Sequence, residues 1–77
     1  MYQPLNLSFQ VPEILQRNID EFLYNLNKEN GNLRDCYEAE IRNILNSCTG
    51  CENELTEEQI ELLRNYYCRG GIYASNH

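Results

Sequence analysis

The sequence predicts a mainly α domain: a short N-terminal β-strand, then three helices, the second and third forming an antiparallel hairpin. Three observations carry this. Residues 5–11 alternate apolar and polar side chains, three later stretches repeat apolar residues at helical spacing, and turn- or cap-forming residues bound those stretches. The 77 residues suffice for one domain over 1–77. A domain of that size buries only about 60% of the surface its unfolded chain exposes, so its core is thin.

In residues 5–11, Leu5, Leu7, Phe9 and Val11 fall on one side and Asn6, Ser8 and Gln10 on the other, the period of a half-buried strand. A strand needs a partner. The candidates are Ile72-Tyr73-Ala74, the same strand of a second copy, or a target's sheet edge.

The first helix is expected over about 12–28. Pro12 stands at a first-turn position, where its missing N–H costs nothing. Leu15, Ile19, Phe22, Leu23 and Leu26 form the apolar stripe, and Glu13 and Arg17 an i, i+4 pair. The second helix is expected over about 33–47, with Asn32 as its cap and Asp35 in its first turn. Its apolar face is Leu33, Tyr37, Ile41, Ile44 and Leu45, and Glu38 pairs with Arg42. The third, over about 56–68, has the best-marked start. Thr56 and Gln59 have capping-box spacing, and Leu55 and Ile60 can form a hydrophobic staple. Ile60, Leu63 and Tyr67 face the core with Leu62 and Tyr66 on the flanks, and Gly70 or Gly71 supplies the left-handed cap.

Twelve acids against six bases give a net charge of −6. Direct contact with nucleic acid or an anionic membrane is therefore not expected, whereas a larger protein with a basic surface suits this charge. Residues 1–7 carry neither the basic start nor the apolar run of a secretory signal, and no stretch approaches the roughly 20 apolar residues of a membrane span. A cytoplasmic location with reduced thiols is expected.

The four cysteines are Cys36, Cys48, Cys51 and Cys68. Cys48 and Cys51 have zinc-knuckle spacing, but no second close pair completes a site. Cys36 and Cys48 are separated by about 18 Å of helix, too far to share one ion. The hairpin brings Cys36 and Cys68 to similar heights. The expected arrangement is nested, Cys36 near Cys68 and Cys48 near Cys51, as disulfides if oxidised and as small buried side chains if reduced.

Catalysis is not expected, and no cofactor is called for. His77 is the single histidine and the last residue, which leaves nucleophilic pairs and triads without a well-placed base. No glycine-rich phosphate loop is present. The candidate surface is the entry to the third helix. Glu52, Glu54, Glu57, Glu58 and Glu61 fall within ten residues that contain no base. They form either a solvated face favouring the helix N-terminus or a negative patch that docks on a basic groove. Tyr66, on the flank of the same helix, joins Glu54, Glu57, Glu58 and Glu61 as the partner-binding set, because exposed tyrosine is favoured at interfaces. Tyr24 also points away from the core stripe.

The stretches from Asp35 to Ile41 and from Leu55 to Tyr67, with the Leu5-Asn6-Leu7-Ser8-Phe9 segment, make the chain resemble short acidic helical proteins carried by phages and conjugative elements of low-GC Gram-positive bacteria. Such elements often encode small acidic inhibitors of host defence, anti-CRISPR proteins among them. The resemblance implies a class of role and carries over no functional residue. The leading expectation is thus a small protein-binding inhibitor or regulator. The alternatives are a zinc-binding or redox-responsive domain built on Cys48 and Cys51, and a homodimeric scaffold paired through residues 5–11.

Overall fold

The computed structural model describes residues 1–48 and 55–75. Among these residues four helices follow one another: α1 (Glu13–Asn27), α2 (Gly31–Cys48), α3 (Glu57–Tyr67) and α4 (Gly71–Ser75). No strand is present among the described residues.

The predicted strand is the main correction. Leu5, Leu7, Phe9 and Val11 are half-buried and Asn6, Ser8 and Gln10 exposed, so the period-2 pattern is real. It lays an irregular segment on the helices rather than pairing it with another strand, with a bend at Ser8–Phe9. The proposed partner, Ile72-Tyr73-Ala74, is helical, because α4 turns the backbone there and drives Ile72 into the core. Period 2 specifies an extended backbone with one face down; it does not specify a sheet.

Helix α1 uses the predicted stripe. Leu15, Ile19, Phe22 and Leu26 are buried and Leu23 half-buried. The Pro12 carbonyl accepts the Gln16 N–H at 2.9 Å, so Pro12 is the cap rather than the first helical residue. The helix ends in a Schellman arrangement. The Asn30 N–H reaches the Asn25 carbonyl at 2.9 Å and the Glu29 N–H reaches Leu26 at 3.2 Å, with Glu29 left-handed at φ 59°. Asn25, 3% exposed, is satisfied within this turn: its Nδ2 donates to the Glu21 carbonyl at 2.8 Å and its Oδ1 accepts from Asn30 Nδ2 at 3.3 Å.

Helix α2 begins two residues earlier than expected. The Asn30 carbonyl accepts the Arg34 N–H at 2.9 Å, which places Asn32 inside the helix and moves Asp35 beyond the first turn. Asp35 instead accepts from Arg34 at 2.9 Å. The early start comes from the tight turn after α1, which leaves Asn30 where a cap residue must stand. Leu33, expected in the core, is 44% exposed, whereas Ile41 and Leu45 are fully buried.

Helices α2 and α3 run antiparallel. Arg64 reaches Asn46 at 2.9 Å, while Cys68, one turn further along, lies near Arg42 and Glu38. The Thr56–Gln59 capping box is formed in both directions, Gln59 N–H to Thr56 Oγ1 at 3.1 Å and Thr56 N–H to Gln59 Oε1 at 2.9 Å. Gly70 at φ 87° is the left-handed residue after α3. Gly71 follows because a Cβ there would stand 2.8 Å from the Asn65 carbonyl oxygen and 2.9 Å from Tyr66 Cα, both backbone atoms.

Among the described residues the ten buried apolar side chains all come from helices: four on α1, Ile41 and Leu45 on α2, Ile60, Leu63 and Tyr67 on α3, and Ile72 on α4. Tyr67 packs edge-on against Phe22, ring centroids 6.1 Å apart. Burying one such side chain contributes about 1.5–3 kcal/mol.

Candidate protein-binding surface

Of the sequence-predicted set, Glu57 and Glu58 are exposed in the first turn of α3, where the helix dipole favours anions. Glu54 lies outside the described residues, as do Glu52 and the Cys51 end of the zinc-knuckle spacing. Glu61 is half-buried and already matched: Arg64 donates to one carboxylate oxygen and Arg69 to the other, the latter at 2.9 Å. The hydrogen bond from Arg64 leads in holding the Glu61 carboxyl below the usual carboxylate range, with Arg69 adding to it. Arg69 is also fixed by Asn65 at 2.7 Å. Glu61 is thus a hub joining α3 to its exit turn as well as part of an acidic face.

Tyr66 differs from the expectation of an exposed contact residue. It is half-buried, its ring meets Tyr67 edge-on at 4.9 Å, and its hydroxyl donates to the Gln3 carbonyl at 2.7 Å. The sequence placed it on the flank of a helix, and the N-terminal segment covers that flank. Tyr24, by contrast, is 60% exposed, with Lys28 Nζ 5.6 Å from its ring centroid.

The charge pattern outside this set is the feature that residue-by-residue reading missed. Every arginine is engaged within the chain: Arg17 with Glu13 at 3.4 Å, Arg34 with Asp35 at 2.9 Å, Arg42 with Glu38 at 3.1 Å, and Arg64 and Arg69 with Glu61. Among the described residues Asp20, Glu21, Glu29, Glu40, Glu57 and Glu58 have no salt-bridging base, and all six are exposed. Only the Glu13–Arg17 and Glu38–Arg42 pairs were legible as i, i+4 spacing.

Cys36 and Cys68 are free thiols, Cys36 exposed and Cys68 half-buried. Glu38 and Arg42, which act on Cys68, are turned from Cys36 by about 200° and 240° around α2. Burial pushes the Cys68 thiol up, with Arg42 partly opposing it, so Cys68 stays protonated at neutral pH. No group of three metal-ligating side chains occurs among the described residues. No helix of the described chain is long and apolar enough to cross a membrane.

Comparisons of the chain with protein-family models, curated proteins and solved structures give no match.

Proposed function

We propose that this chain is a small acidic binding protein that inhibits or regulates a larger protein by docking on its basic surface. The observation that carries the reading is the one-sided use of charge. The arginines are taken up by intramolecular pairs, and exposed carboxylates are left over, Glu57 and Glu58 foremost. Such a surface attracts a basic groove at long range and repels nucleic acid and anionic lipid. The resemblance to small acidic proteins of phages and conjugative elements supports an inhibitor whose target is a host nucleic-acid-handling or defence enzyme, a class whose grooves are basic.

The test is affinity capture from a low-GC Gram-positive lysate at low and moderate salt, comparing the wild type with the Glu57→Lys/Glu58→Lys variant, both confirmed helical by circular dichroism. A stoichiometric partner should be recovered by the wild type. Its recovery should drop about tenfold with the double variant and fall with salt. Equal recovery by both proteins at low salt removes this face from the interface.

A further inference from the structure

The ten buried apolar side chains belong to the helices, and residues 1–11 contribute none of them. This N-terminal segment nevertheless crosses the bundle and touches three of its parts. Asn27, at the end of α1, accepts the Tyr2 N–H at 2.7 Å and donates to the Tyr2 carbonyl at 3.2 Å. Tyr66 donates to the Gln3 carbonyl at 2.7 Å, and the Leu5 N–H donates to the Tyr67 hydroxyl at 3.0 Å. The Tyr2 ring meets Tyr73 of α4 edge-on at 5.6 Å.

Beyond Leu5 the attachment changes. Leu7, Phe9 and Val11 lie half-buried against the core, and none reaches full burial. A half-open groove of about 400 Å³ runs along the segment, edged by Leu5, Leu7, Phe9 and Val11 with Gln10 and Gln16 at its mouth and Ile19 and Tyr67 beneath. The segment therefore covers Ile19 and Tyr67 while keeping its own side chains only half-buried. At its far end the chain is fixed again, because the Pro12 carbonyl accepts the Gln16 N–H at 2.9 Å and closes the first turn of α1.

We infer that residues 1–11 are a releasable strap that opens as one unit, hinged at Val11–Pro12, while the four-helix core stays folded. Lifting it breaks the ties at residues 2–5, leaves the apolar contacts between helices in place, and does not unwind α1. Regions with few buried contacts and few hydrogen bonds occupy the low-stability end of local opening. Opening bares the apolar wall formed by Ile19 and Tyr67 together with the apolar edge of the strap itself. The device thus governs how much apolar surface the molecule shows, and it is independent of the acidic face of α3.

Amide hydrogen exchange on the full-length protein, read residue by residue by NMR, tests this. The Leu5 amide should exchange far faster than those of Phe22 and Ile41, with a urea dependence that is measurable but smaller than theirs, because opening the strap exposes less surface than unfolding the bundle. The Asn27→Ala variant removes only the two Tyr2 hydrogen bonds, on an exposed side chain, yet should speed exchange at Leu5 about fivefold, two exposed hydrogen bonds at the low end of their usual worth. Phe22 and Ile41 should keep their wild-type rates. If Asn27→Ala leaves Leu5 unchanged, the strap does not open as a unit. If Phe22 and Ile41 accelerate in step with Leu5, strap and bundle are one cooperative structure. Either result overturns the proposal.

Discussion

Glu61 accepts from two guanidinium groups, one three residues on within α3 and one beyond the end of that helix. Its carboxyl is held low, so the folded state binds a proton there less readily than the unfolded chain does. The stabilisation is therefore complete above the ordinary carboxylate pKa of about 4, and it is lost as pH falls through the lower folded value. The Glu61→Gln variant should melt slightly below the wild type at neutral pH, with the gap closing as pH falls through and below the ordinary carboxylate range. Melting curves across that range check both statements. A gap that persists unchanged in acid would mean that Glu61 acts through shape rather than charge. The i, i+3 relation of Glu61 to Arg64 was readable in the sequence. The second partner was not, because Arg69 reaches it only through the turn that follows α3.

At the scale of the element, the two left-handed residues make contrasting cases. Gly70 occupies φ 87° at no steric cost, whereas Glu29 occupies φ 59° with a side chain. Glu29→Gly should therefore raise stability by about 0.5–1 kcal/mol, read as a higher urea midpoint at unchanged slope. Gly71→Ala should lower it by about 1–3 kcal/mol, because the added methyl meets the backbone of Asn65 and Tyr66 rather than a movable side chain. Helix positions were legible to within two residues wherever an apolar stripe and a cap coincided, as at Thr56 and Gln59. The start of α2 was misjudged because Asn30, Gly31 and Asn32 all suit a turn. Which of them begins the helix is decided by how α1 closes on Asn30.

At the scale of the molecule, net charge −6 sits on a thin core, and the arginines are already matched to neighbouring acids. The unmatched carboxylates repel one another. Surface ion pairs are worth little, so screening removes more repulsion than attraction. Moderate sodium chloride should therefore raise the melting temperature by about 2–4 °C. A fall with salt would show that the intramolecular pairs outweigh the repulsion and would weaken the case for an exposed acidic face. Salt thus acts oppositely on the two properties of that face, stabilising the free protein while loosening its proposed complex.

The sequence by itself determined the helical class, the three principal apolar stripes, the capping box of α3 and the acidic excess, because each depends on residues within a turn or two of one another or on composition alone. It also determined that alternate residues of 5–11 turn one face down, although not as the expected strand. Only the tertiary structure decided what that face meets. It laid the segment on helices, gave Tyr66 and Tyr67 to its backbone, buried Ile72 in a fourth helix and turned Cys36 away from the face of α2 that Cys68 meets. Those outcomes depend on how segments distant in the chain are rotated and stacked, and a period of 2.0 or 3.6 describes an element's own faces without saying which neighbour will cover them.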